Sequence, residues 1–362
     1  MTALDKRDFR TPAPEMASIE STGSSRFNSD FWFIVACRAS VFIVLGMLAA
    51  LLIVLTWSAL PAVKEFGPAF LVSSEWRPNE LERPMRGADG KVVLADGEVV
   101  METLAPVFGA LPVIYGTAVS SVLALVVAVP IGLGSALFLV RLAPKSIIAP
   151  VSFLIEFLAA IPSIAFGIWG LFILAPFLQA YVEPAIKKVL GPIPSLNWLF
   201  FDGNRELPLV GRDMFCGGLI LGIMILPIVT AVSRDVLRAV PRAQIEGTLA
   251  LGATWWQSCR EMLRYSRAGL FGAVMLGLAR AAGETMAVTM VIGNNFQIEP
   301  SPFAPAQTMS SLLANEFAEA SGDMHRSALI AVALVLLVMS LLFNVVARYL
   351  VVGKNSGTSA AH

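Results

Sequence analysis

The sequence predicts an all-α integral membrane protein with about six transmembrane helices and a small hairpin-containing loop between the first two. Two observations carry that expectation. Of 362 residues, 56% are hydrophobic and only 14% charged, with a mean hydropathy of +0.74; soluble domains carry about 25% charged residues. Six segments are also long and apolar enough to cross roughly 30 Å of hydrocarbon as helices. A net charge of zero without a basic cluster leaves no electrostatic footprint for nucleic acid. The solvent implied is a lipid bilayer.

Residues 1–33 form a polar, Ser-rich tail without an apolar h-region, so the first span, 34–60, reads as its own signal anchor. Residues 61–111 form the largest non-membrane piece. Within it Lys91–Leu94 and Glu98–Met101 flank Ala95-Asp96-Gly97, which reads as a hairpin with glycine where positive φ is needed. An isolated hairpin is marginal in water, so this one is expected to rest on the membrane domain or on a partner. Residues 112–352 form the main transmembrane domain, with spans expected near 113–140, 147–178, 214–232, 268–292 and 327–352. Pro162-Ser163 breaks the third of the six spans into two half-helices or a kinked rod. Pro130 and Pro227 sit inside spans, which membrane helices tolerate. Between the third and fourth spans, Trp198-Leu199-Phe200-Phe201 reads as an interfacial aromatic anchor. Gly218-x-x-x-Gly222 suits close helix approach. Residues 353–362 are a short tail.

Three scattered cysteines argue against a disulfide framework, and two histidines against a histidine-based metal site. Six spans place both termini on one side. The loops then sharing that side hold Arg141 and Lys145, then Arg234, Arg238, Arg242, Arg260, Arg264 and Arg267. That excess makes it the cytoplasmic side.

In and just before the segment 241–267, Leu237, Val240, Ile245, Leu249, Ala250 and Ala253 recur at roughly helical spacing, with Arg238, Arg242 and Glu246 between them. That pattern predicts a short amphipathic helix, a turn at Gly252, and a second helical piece through Trp255 and Trp256. Glycine at such a turn adopts backbone conformations that strain other residues. Two short helices at an angle make either a knob for a soluble partner or a loop lying on lipid.

Arg280 and Glu284 lie inside the fifth span. Arg280 is about 18 Å along a helix that begins near residue 268 and rises roughly 1.5 Å per residue. An arginine near the midplane costs at least ~2.5 kcal/mol, so it should face a polar cavity or a carboxylate. Glu284, one turn on, shares its face. The pair serves either an oxyanion path, because a guanidinium forks onto oxyanions, or a structural lock between helices. Thr285, Thr289, Ser163 and Asn294 read as path lining or interhelical glue. Glu156 sits near the end of the third span, where it can snorkel.

Glu246-Gly247-Thr248-x-x-x-Gly252 resembles the EAA loop of ABC-importer permeases, with Gly247 and Thr248 as small-residue substitutes for the two alanines. Met262-Leu263-Arg264-Tyr265 stands where that pattern has Ile-x-Leu-Pro, so the proline is missing. The stretch 276–294, with Gly283-Glu284-Thr285-Met286-Ala287-Val288 at its centre, is similar to the fifth-span signature of phosphate-specific ABC permeases. The motifs around 161–170 and 314–320 resemble the C-type subunit of that family. The resemblance covers 109–348.

The resemblance implies a bacterial inner-membrane, multi-pass permease subunit of an ATP-driven phosphate importer, with the MetI-like permease fold and both termini cytoplasmic. It implies a second, homologous permease subunit, a cytoplasmic ATPase dimer docked on Glu246, Gly247, Thr248 and Gly252, and an extracytoplasmic phosphate-binding protein. Arg280, Glu284, Thr285 and Ser163 would line the path. No Gly-x-x-x-x-Gly-Lys-Ser/Thr loop is present, so no cofactor is expected on this chain, with ATP and Mg on the partner ATPase. No catalytic or metal-ligating residue is expected. Two alternatives stay open: a permease for another oxyanion such as molybdate or sulfate, and an ion-coupled secondary transporter, which should carry inverted repeats.

Overall fold

A computed structural model describes residues 26–79, 81–84, 94–95, 98–99, 101–202, 205–320 and 322–352. Residues 1–25 of the expected 1–33 tail, the expected tail 353–362, the Asp96-Gly97 turn and Gly203-Asn204 lie outside the described residues. The chain is largely helical. Five helices are long and apolar enough to cross a membrane: Phe31–Phe66, Leu111–Arg141, Ser163–Leu190, Met214–Arg238 and Asp323–Val345. The remaining expected span, 268–292, is present but divided into two helices. Two compact units are recognised, ending at Val54 and beginning at Leu55.

Helix α1, Arg26–Phe66, contains Pro61. Up to Val54 its described side chains are mostly exposed, which suits a helix whose apolar surface meets lipid. In the second unit, Ala59 and Ala62 are buried, and the Ala62 N–H donates to Ser327 Oγ (3.0 Å). A short helix α2, Ala69–Val72, follows.

Four short strands come next. β1, Leu81–Pro84, pairs antiparallel with β4, Met101–Leu104, and β2, Leu94–Ala95, pairs antiparallel with β3, Glu98–Val99. The expected hairpin is therefore present, in a tighter register than the sequence suggested. Ala95 opposes Glu98, so two residues make the connection, and Met101 joins the outer pair instead.

The main bundle follows. Helix α3 spans Leu111–Arg141 and α4 spans Lys145–Ala160. Ile161 and Pro162 are extended, and α5 restarts at Ser163 and runs to Leu190 with π-helical turns at Gly170–Leu174 and Leu178–Val182. The third expected span is thus two helices, because proline disfavours the helical conformation in the residue before it.

A 3₁₀ turn over Pro194–Leu199 leads to β5, Phe201–Asp202, paired with β6, Arg205–Glu206. The aromatic run there is only partly interfacial. Trp198 is exposed, but Phe200 is buried and stacks on Phe303 at 5.2 Å.

Helix α6, Met214–Arg238, is the most enclosed span. Its Gly218 and Gly222 lie against Leu123, Ala124 and Val127 of α3, the close approach that small residues permit. Helices α7, Arg242–Ala250, and α8, Trp255–Tyr265, form a two-helix projection. Then come α9, Arg267–Gly283, α10, Met286–Val291, α11, Met309–Glu316, and α12, Asp323–Val352.

Where residues 70–110 meet α11 and α12, an aromatic cluster sets the packing. Trp76 stacks on Phe296, and His325 stacks on Phe108. Glu316 Oε2 accepts from Trp76 Nε1 (2.8 Å) and sits 2.9 Å from His325 Nε2. Those contacts give the buried polar groups partners, which burial demands.

Candidate functional site

The projection is built by short-range signals. Pro241 precedes the first helical residue, and α7 ends at Ala250 with Leu251 as its cap. Gly252 then adopts φ +83°, a left-handed conformation that costs other residues about 1–2 kcal/mol. Thr254 opens α8 with a capping box. Its Oγ1 accepts from Gln257 N–H (3.3 Å), and Gln257 Oε1 accepts from Thr254 N–H (2.7 Å).

No residue of α7 is buried; Glu246 and Gly247 are exposed, as are Leu249 and Leu251. A Cβ at Gly247 would meet nothing within 4 Å, so the alanine of the related pattern fits there. Thr248 ties the two helices together. Its hydroxyl donates to Ile245 O (2.7 Å) and lies 3.2 Å from Ser258 Oγ. A cleft of about 680 Å³ opens between the helices, lined by residues that include Gln244, Ile245, Thr248, Glu261 and Tyr265.

The missing proline has a simple consequence. Arg264 and Tyr265 stay helical, and Ser266 alone separates α8 from α9. Ser266 Oγ donates to Met262 O (2.7 Å) and completes the joint.

Inside the bundle, the fifth expected span is interrupted at its signature motif. Helix α9 ends at Gly283; Glu284 is extended, with φ −72° and ψ 129°. Helix α10 restarts two residues later. Glu284 O accepts from Ser310 Oγ of α11 (2.7 Å), which braces the break. Thr289 Oγ1 donates to Thr285 O (2.7 Å), and Asn294 Nδ2 donates to Thr289 O (2.9 Å).

The structure brings Arg280 and Glu284 to one cleft of about 560 Å³, bounded also by Ile228, Leu276, Ala279 and Gly283. Thr285 and Ser163 do not line it. Thr285 starts the α10 turn, and Ser163 is the first residue of α5, half-buried beyond Pro162. Arg280 is exposed and Glu284 is 8% exposed. Among the described residues neither makes an ion pair. A locked Arg280–Glu284 pair is therefore not what this arrangement presents. It presents an unpaired guanidinium at the mouth of a cleft with a sheltered carboxyl behind it. Apart from these two charged residues the cleft is lined by apolar side chains and glycine.

Sequence reasoning did not foresee one cross-helix contact. Glu156 of α4 reaches Arg234 of α6 (3.6 Å), which is also 3.3 Å from Asp235. The signal was available as an acid and a base in neighbouring spans. Only the fold shows that α4 lies against α6.

The family profile described as "Binding-protein-dependent transport system inner membrane component" matches residues 128–353. The chain is 41% identical over 333 residues to a phosphate transport system permease protein PstC of Mesorhizobium japonicum, covering 92% of this chain and 93% of that protein. It is 40% identical to the PstC protein of Haemophilus influenzae, covering 84% and 87%. The chain belongs to the PstC permease family. Family members of this kind are transporter components, and the chain is a multi-pass inner-membrane permease subunit, not an enzyme. Among solved structures, an inward-facing MetNI methionine ABC transporter aligns with TM-score 0.45 and 17% identity, covering 68% of this chain and 94% of that one.

Proposed function

We propose that this chain forms half of the translocation path of an ATP-driven phosphate importer, the other half coming from a homologous permease subunit. The observation that carries this reading is the unpaired Arg280 beside sheltered Glu284 at a break in a membrane helix. A guanidinium offers paired donors to the oxygens of a phosphate. The nearby carboxyl weakens the hold enough for release, since conduction needs sites that bind and also let go. The cleft opens on one side, and an apposed permease would close it.

In the same reading, α7 and its Glu246, Gly247, Thr248 and Gly252 form the surface on which a cytoplasmic ATPase dimer docks. Residues 241–267 then lie in the cytoplasm together with both termini, and an extracytoplasmic phosphate-binding protein delivers the substrate at the opposite end of the bundle. ATP and Mg belong to the ATPase. Movement of α7 and α8 as one body passes through the Ser266 joint into α9, whose last turn carries Arg280. The chain's work is positioning and gating, without covalent chemistry.

Uptake of labelled phosphate in cells lacking this chain, restored by the intact chain and challenged with molybdate and sulfate, tests the substrate class. Restored uptake that excess molybdate or sulfate leaves intact supports phosphate. Failure to restore phosphate uptake, with restored molybdate uptake, replaces it with the other oxyanion.

A further inference from the structure

We infer that Glu183 and Asp213 form a proton-binding site, two carboxyl groups holding one proton between them where α5 meets the head of α6. Both side chains are 0% exposed. Both Glu183 oxygens and Asp213 Oδ2 lack a well-formed hydrogen bond among the described residues. Asp213 Oδ1 is occupied, accepting from Cys216 N–H (2.8 Å) as the cap of α6. Val182, beside Glu183, and Cys216, whose N–H Asp213 accepts, pack in one apolar cluster, which brings the two carboxyls together.

Among the described residues no cation pairs with either carboxyl. Lys187, one turn on from Glu183, pairs with Glu206 and lies over the Phe201 ring. Arg212 is exposed and makes no described ion pair. The loop packed on the head of α6 contributes Ser301, Pro302, Phe303 and Ala304, none of them charged; Pro302 O and Ala304 O accept the N–H groups of Phe215 (2.8 Å) and Met214 (3.2 Å). The Cys216 thiol is the other titratable group at this end of α6, and it is buried.

Two ionised carboxylates in contact, out of water and without a cation, repel at low dielectric. A single proton converts that repulsion into a hydrogen bond, and the two groups titrate as a pair. Burial, opposed by the Cys216 N–H and reinforced by the Glu183 charge, lifts the Asp213 carboxyl to about 8.

The place gives the proton a consequence. Glu183 directly follows the second π-helical turn of α5, a distortion frequent at functional sites. Asp213 anchors α6 at the point gripped by the loop that follows α10. The shared proton joins these two segments, and its loss sets two like charges against each other there. The sign follows from the raised folded-state value. The pair's stabilisation is fully present below the unfolded carboxylate range, near ~4, and is lost as pH rises through about 8.

The test uses the full-length chain in its purified transporter complex. Infrared spectra at pH 7 should show a buried carboxylic acid band that titrates away near pH 8 and is missing in Glu183→Gln. From pH 6 to pH 9 the wild-type melting temperature should fall by roughly 2–4 °C more than that of Asp213→Asn, which keeps an acceptor for Cys216. Absence of a titrating acid band at neutral pH overturns the inference, as do identical melting profiles in wild type and Asp213→Asn. Should Glu183→Gln fail to assemble, the pH titration of the wild-type band decides alone.

Discussion

Between residues 241 and 293, the helix breaks at Gly252 and at Glu284-Thr285 are built in opposite ways. At Gly252 the break is exposed, with open space where a Cβ would stand, and only the positive φ demands glycine. At Glu284-Thr285 the break is enclosed. No proline or left-handed residue makes it; a hydroxyl from another helix, Ser310, holds the freed carbonyl. The first is a local device that a short peptide signal can specify. The second exists only because the surrounding helices are assembled. A surface turn of that kind transmits force as a rigid corner, whereas a braced break can change its bracing, as the broken helices of transporters do.

The comparison can be broken at either end. Reversing the charge at the exposed corner with Glu246→Lys should have the largest effect on assembly: the ATPase no longer co-purifies and uptake is lost, while the chain still inserts. Undiminished co-purification would remove α7 from the docking surface. At the enclosed break, Ser310→Ala leaves Glu284 O unpaired and should cost about 1–3 kcal/mol. It should also raise hydrogen exchange across residues 284–291 above that of the neighbouring α6; unchanged exchange would mean that the brace is incidental. The smallest effect belongs to Gly247→Ala. With free space at that position, it should leave uptake intact and stabilise α7 by about 0.5–1 kcal/mol; lost uptake would show that something approaches Gly247 closely in the assembled transporter.

The same contrast explains what was legible in the sequence. The long spans follow from hydropathy, since 18 or more apolar residues have few other uses. The Gly252 corner and the Thr254 box are written in residues three or four apart. The break inside the fifth span is not, because Gly283-Glu284-Thr285-Met286 carries no breaker stronger than one glycine and its partner Ser310 is 26 residues away. Glu183 and Asp213 escaped for a related reason. Each looks ordinary alone, a polar residue near a span end and a helix cap, and only the packing of α5 on α6 makes them a pair. A break or kink in the third expected span was legible because proline acts locally, and the structure shows the break.

The central claim is that Arg280 serves the substrate and does not lock the fold. Labelled-phosphate uptake by cells carrying Arg280→Gln, measured beside co-purification of the ATPase and the partner permease, tests it most directly. The account predicts that uptake disappears while the complex assembles at wild-type levels. Full uptake by an intact Arg280→Gln complex would contradict it, and so would loss of uptake that merely follows loss of assembly.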